Sequence, residues 1–185
     1  TRDKINRNIR FGIISNDIAN HSASPYLYAL VSELLKLGHS VNIYTSGLID
    51  NLSPKSLDKN SLNIATEAIS LYRMDMNECR ELIAGKKHDV IIDTEGFTNN
   101  SWNMKLLNRR LAPFQLSWLG YPGTTGSSNI DFVITDKYYS PQSTDFFTEK
   151  ILELPSASCA GRYPIKNSPE PGKCPSIERG FITFG

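Results

Sequence analysis

Three short segments carry the residues whose types and spacing suit chemistry: "SNDIANHSA" (15–23), "TEGFTNN" (94–100) and "GYPGTTG" (120–126). His21, in the first, lies about one helical turn ahead of a helix start marked by Ser24-Pro25, an N-cap residue followed by proline. The free N–H groups of a helix start favour oxygen-rich or anionic ligands. A neutral imidazole there can take a proton from a hydroxyl nucleophile or donate to a sugar oxygen. The competing reading is a surface histidine bonded to its own loop. Asp93 and Glu95 stand two apart, so an extended strand through both turns them to one side. Paired carboxylates suit acid–base chemistry. A loop cap suits Asp93 better, and Glu95 stays open between the two. Thr98 offers a hydroxyl at the end of the same segment. His39 and His88 receive no role.

The third segment closes the uncharged run "SWLGYPGTTG" (117–126). Gly120 has no side chain, so a ligand can lie against its backbone. Pro122 stiffens the turn, while Gly123 and Gly126 permit angles that other residues resist. Thr124 and Thr125 add hydroxyls beside exposed amides. A plain structural turn needs fewer glycines, so the stretch reads as a preorganised binding platform.

Several chemistries are excluded. The first loop has no G-x-G-x-x-G, and no acid ends "NIYTSG" until Asp50, which argues against a dinucleotide enzyme. There is no P-loop, no G-x-S-x-G elbow and no zinc spacing, so no metal ligands are assigned. A net charge of +1 over 185 residues leaves no electrostatic footprint for nucleic acid or an anionic membrane. No apolar run reaches the length of a membrane span, and the N-terminus lacks a signal-peptide pattern. Cys79, Cys159 and Cys174 are odd in number and scattered, as in a reduced, cytoplasmic protein.

The elements that must position these loops are legible as an α/β pattern. "IRFGIIS" reads as a buried first strand. Leu27, Leu30, Val31, Leu34 and Leu35 mark one face of a helix that Gly38 closes, and "SVNIYTS" reads as the second strand. That is a parallel βαβ unit. "EAISLYRM" suits a third strand. Asp75 and Glu78 form a capping-box start for a helix ending at Gly85, and "DVIIDTEG" follows as another buried strand. A helix is expected over Met104–Arg110, broken by Pro113, and then strands "FQLSWLG" and "DFVITD". If the sheet is parallel, all three polar segments meet at the carboxyl ends of its strands, where open α/β sheets bind ligands. "SPEPGKCPS" reads as a linker, and "RGFITFG" as the first strand of a further domain. The expected division is a Rossmann-like unit over 1–165 and a linker with the start of a second lobe over 166–185. Both ends look like cuts within a longer protein.

At "IRFGIISNDIANH", "RLAPFQLSWLGYPGTTG", "IDFVITDKYYSP", "FTEKILELP" and "GFITFG" the chain resembles the O-linked N-acetylglucosamine transferase family, which includes the plant Spindly-type enzymes. The resemblance runs through most of the chain. It implies a Rossmann-like parallel sheet with flanking helices, the N-terminal lobe of a two-lobed GT-B glycosyltransferase. It further implies inverting, metal-independent transfer of a sugar from a nucleotide diphosphate donor, UDP-N-acetylglucosamine or another nucleotide sugar, to Ser or Thr hydroxyls of proteins. His21 matches the family's active-site histidine, Thr98 a threonine near the donor sugar, and Leu119 and Gly120 a pair lining the sugar pocket. Tyr121, Pro122 and Gly123 hold that loop. The uridine and pyrophosphate contacts, including a lysine, belong to the C-terminal lobe, and tetratricopeptide (TPR) helical repeats commonly precede the catalytic region. This sequence departs from the family at Ser22, where a proline is usual, at Ser15-Asn16-Asp17-Ile18, and within "NNSWNM". The other reading is a non-catalytic Rossmann-like module of a larger assembly.

Overall fold

The computed structural model describes residues 7–18, 21–48, 68–140, 143–159 and 172–182. In chain order its elements are β1 (Arg10–Ile14), α1 (Ser24–Lys36), β2 (Ser40–Thr45), β3 (Ala68–Ser70), α2 (Met76–Gly85), β4 (Val90–Asp93), a 3₁₀ turn (Asn99–Ser101), α3 (Trp102–Leu106), β5 (Phe114–Trp118), β6 (Phe132–Asp136), β7 (Lys150–Leu154) and α4 (Pro175–Arg179). The seven strands form one sheet in the order β3-β2-β1-β4-β5-β6-β7, and every pairing is parallel. The chain winds outward from β1 in one direction and then restarts at β4 in the other. The order therefore reverses between β1 and β4, and that crevice is where such sheets bind ligands.

Alternation along the strands builds two cores. Ile13, Val41, Ile43 and Ile92 face α1 and pack with its Leu27 and Val31. Ile14, Tyr44 and Ile91 face the other side and pack with Cys79 and Ile83 of α2 and with Met104 and Leu106 of α3. A sheet covered on both faces has no solvated side, hence the nearly continuous apolar runs. Each element begins or ends as its residues dictate. Asp75 accepts from the Asn77 and Glu78 N–H groups while Glu78 bonds back to the Asp75 N–H, a complete capping box. Gly38 takes φ +81° just past α1.

Four expectations are corrected. Ser24 does not cap α1. It is the first helical residue, after Ala23, and its hydroxyl donates to the Asp17 carbonyl instead (2.6 Å). The helix expected over Met104–Arg110 spans Trp102–Leu106, because Asn100 and Ser101 bend the chain through left-handed φ values of 56° and 57° just ahead of it. Strand β7 was not foreseen: it is an edge strand with partly exposed residues on both faces, so "KILEL" carries no clean alternation. Finally, Pro175 and Ser176 at the end of the expected linker fold into α4, which also takes in Arg179 from the start of "RGFITFG". The boundary at 165/166 and residues 183–185 lie outside the described residues. No helix among the described residues is long and apolar enough to cross a membrane.

His88, without a role in the sequence, is a core residue at 3% exposure. Its Nε2 shares a hydrogen bond with the Tyr44 hydroxyl (2.7 Å), its Nδ1 has no partner among the described residues, and its ring lies over Gly12, where a Cβ would approach within 2.9 Å. Burial, with Arg10 and Lys86 nearby, lowers its pKa to about 4. Below the ordinary value of about 6.5 the unfolded chain binds a proton that the folded chain refuses, so stability is lost as pH falls from there to about 4. That loss is about 3 kcal/mol. Asp93 acts in the opposite sense, because burial raises its carboxyl to about 6. The wild-type curve alone thus understates the effect. The stability difference between wild type and His88→Phe, in which shared carboxylate titrations cancel, is expected to shrink by about 3 kcal/mol between pH 6.5 and 4. Urea unfolding at both pH values measures it, and a pH-independent difference excludes a buried neutral His88.

Candidate functional site

The loops after β1, β4 and β5 meet over the crevice between β1 and β4, and enclose a cleft of about 630 Å³. Asn16, Asp17, His21 and Tyr26 line one side. Thr98 comes from the second loop, and Leu119 with Gly120 from the third. The structure thus brings four of the seven candidate residues, His21, Thr98, Leu119 and Gly120, into one cavity. Tyr121, Pro122 and Gly123 are not among its lining. Tyr121 packs instead against Gly96, where a Cβ would approach its own within 2.4 Å, and edge-on against Phe97 (ring centroids 5.3 Å apart).

The first loop is shaped by its own polar side chains. The Ser15 hydroxyl accepts from the Asp17 N–H (3.2 Å), and the Ser24 hydroxyl accepts from the His21 N–H (3.3 Å). The Tyr28 hydroxyl donates to the Ile18 carbonyl. The Asn16 Oδ1 accepts from the Thr45 hydroxyl (3.1 Å) and from the Ser46 N–H (2.7 Å) and hydroxyl (2.6 Å), which ties the loop to the end of β2. Held this way, Asp17 Oδ2 lies 3.3 Å from His21 Nδ1, and the Ala23 N–H also points at that nitrogen (3.2 Å). The two contacts require different tautomers. Accepting from Ala23 leaves a proton on Nε2, whereas a proton on Nδ1 directed at Asp17 leaves the Nε2 lone pair free. Burial and the charge of Glu95 raise the Asp17 carboxyl above its ordinary value, against the pull of His21. Asp17, Asn16 and Tyr26 were missed as cleft residues from the sequence. The available signal was a carboxylate four residues before the histidine in one loop.

The second loop answers the question of the two carboxylates. Asp93 ends β4 and is fully buried, and the loop-cap reading holds for it: it accepts from the N–H groups of Glu95 (3.1 Å) and Gly96 (2.8 Å). It also accepts from Asn103 Nδ2 (2.8 Å) and the Ser117 hydroxyl (3.3 Å). Glu95 lies beyond the strand, so the two-residue spacing does not aim both carboxylates into the cleft. The Thr98 hydroxyl donates to the Glu95 carbonyl (2.7 Å).

The third loop departs from expectation in two ways. Gly120 is glycine because its missing side chain faces protein: a Cβ there would stand 2.1 Å from the Thr94 carbonyl oxygen. Its N–H donates to that oxygen (3.0 Å) and to the Trp118 carbonyl (3.1 Å), closing a three-residue turn around Leu119 at φ +79°. Such a turn is strained in a non-glycine residue, and here it points the chain back over the cleft. Thr124 and Thr125, expected to offer hydroxyls to a ligand, are bound by Glu149, which accepts from both hydroxyls and from the Thr125 N–H (2.7 Å). Although burial opposes it, these bonds hold the Glu149 carboxyl below its ordinary value. Residues 24 and 25 positions apart thus brace the platform.

A family model described as Glycosyl transferase family 41 matches residues 1–163. The chain belongs to that family. It is 29% identical over 183 residues to a probable UDP-N-acetylglucosamine–peptide N-acetylglucosaminyltransferase, SPINDLY, of Petunia hybrida, covering 97% of this chain and 19% of that protein. It is 28% identical over 157 residues to the UDP-N-acetylglucosamine–peptide N-acetylglucosaminyltransferase of Caenorhabditis elegans, covering 84% of this chain and 13% of that one. The family-41 chain therefore spans about a fifth or less of the length of these relatives. Among solved structures, an O-GlcNAc transferase mutant from Thermobaculum terrenum superposes with a TM-score of 0.68 at 20% identity, over 82% of this chain and 28% of that one. This establishes the fold as a Rossmann-like lobe of the GT-B kind, as the resemblance implied. Among the described residues, no group of three or more His, Cys, Asp or Glu side chains is arranged to hold a metal ion.

Proposed function

We propose that this chain is the N-terminal lobe of an enzyme that transfers N-acetylglucosamine from a uridine diphosphate donor to Ser or Thr hydroxyls of proteins. The supporting observation is the meeting of His21, Thr98, Leu119 and Gly120 in one cleft of a family-41 chain. In this reading Leu119, Gly120 and Thr98 form the sugar-side wall, and Tyr121, Pro122 and Gly123 stiffen it from outside. The acceptor oxygen attacks the anomeric carbon as the bond to the diphosphate breaks, inverting that centre. The hydroxyl proton passes to His21 Nε2, with Asp17 holding the Nδ1–H as the orienting carboxylate.

Developing charge on the diphosphate needs cationic or N–H donors. Among the described residues the cleft is lined by Asp17 and by no Lys or Arg, so in this reading the need falls to the C-terminal lobe. The experiment is to incubate the full-length enzyme with labelled nucleotide sugars and Ser/Thr peptides, with the 185-residue chain in parallel. Transfer from UDP-N-acetylglucosamine by the full-length enzyme alone is expected. Absence of transfer from every donor supports the non-catalytic module, and turnover by the chain alone refutes the division of labour between lobes.

A further inference from the structure

Glu95 is 2% exposed, lies outside the cleft lining, and touches all three loops that build the cleft. Its carboxylate accepts from the Asn16 main-chain N–H through Oε1 and from Asn16 Nδ2 through Oε2 (3.0 Å). Its carbonyl accepts both the N–H (3.1 Å) and the hydroxyl (2.7 Å) of Thr98. Its Cα lies 3.1 Å from the point where a Cβ of Gly120 would stand. A two-pronged carboxylate reaching a neighbouring loop's backbone is an unusual use of a buried charge, which is costly unless it is fully hydrogen-bonded. Asn16 passes the constraint on, since it adjoins Asp17 and its Oδ1 is anchored at Thr45 and Ser46.

We propose that Glu95 is a positioning residue: through Asn16 it sets the β1 loop that presents the Asp17–His21 pair. The loop placement stands on geometry alone, while the catalytic consequence rests on the function proposed above. Among the described residues, the ionisable groups that act on Asp17 are Glu95 and His21, and Glu95 in turn acts on Asp93. Its negative charge keeps the Asp17 carboxyl raised, second only to burial. Removing the charge therefore lowers the Asp17 carboxyl, and the acid limb of the rate profile moves to lower pH.

The test compares Glu95→Gln and Glu95→Asp in the full-length enzyme, using hydrogen exchange, kcat and KM for the nucleotide sugar, and the pH profile of kcat/KM. In Glu95→Gln an amide N–H faces Asn16 Nδ2, donor against donor. We expect faster exchange confined to residues 15–24, kcat lower by about 10- to 100-fold, KM within about 3-fold, and an acid limb at lower pH. Glu95→Asp keeps the charge but shortens the reach, so kcat falls similarly while the acid limb stays in place. Unchanged exchange in 15–24, or an acid limb unmoved in Glu95→Gln, overturns the proposal. So does exchange that rises throughout the sheet in both variants, which makes Glu95 a residue of the fold as a whole. If the wild-type enzyme transfers no sugar, the functional reading fails while the exchange comparison still decides the loop role.

Discussion

In the full-length enzyme, His21→Ala is expected to lower kcat by about 100- to 10,000-fold while leaving KM for the nucleotide sugar nearly unchanged, the range for a lost general base. A proton taken only in the transition state contributes nothing to ground-state donor binding, so the loss belongs in kcat. His21→Asn separates the two roles that the ring geometry allows. Asparagine can donate a hydrogen bond but cannot take the proton, so a base role leaves it as slow as alanine. A purely donating role restores most of the rate. Asp17→Asn should also slow the enzyme, since a neutral amide replaces the charged acceptor that lies 3.3 Å from Nδ1. The double variant with His21→Ala should be no slower than His21→Ala alone, because the two groups act as a unit. Wild-type kcat in His21→Ala removes His21 from the chemistry, and full additivity of the two losses removes Asp17 as its orienting partner.

Gly120→Ala should destabilise the chain by about 3 kcal/mol, the upper end of ordinary overpacking. The new Cβ would stand 2.1 Å from the Thr94 carbonyl oxygen and 3.1 Å from Glu95 Cα, both backbone atoms that cannot swing aside. Relief requires separating the β4 and β5 loops, which breaks the bond from the Gly120 N–H to Thr94 and displaces Leu119 from the cleft wall. Gly126→Ala is the control. Its φ of +64° makes alanine strained, yet nothing lies within 4 Å of the added Cβ, so the cost is about 1 kcal/mol. Urea unfolding ranks the two. Equal losses show that steric contact with Thr94 is not what demands glycine at 120.

Local chemistry made several elements legible in advance. The capping box at Asp75 and Glu78, the apolar runs of β1, β4, β5 and β6 and the helical stripe through Leu27 and Val31 are set by neighbours within one or two turns. Elements with mixed signals were lost or shifted. Strand β7 mixes Lys150 and Glu153 among its apolar residues at an exposed edge, and α3 starts only after two left-handed residues that nothing in "NNSWNM" announces.

The sequence alone determined that this is a βαβ chain whose three polar segments end strands, and that His21, Thr98 and Gly120 sit on them. Hydrophobic periodicity and turn residues are short-range properties, so they are written in the order of the chain. Tertiary structure alone decided which groups face one another. It set Asp17 against His21, joined Glu95 to Asn16 across 79 residues, and turned Thr124 and Thr125 away to Glu149. It also gave Gly120 its reason, a carbonyl 26 positions earlier in the chain. Hydrogen bonds and steric contacts act over a few ångströms in space, whatever separates the partners along the chain, and parallel strand order is what brings these partners within that range.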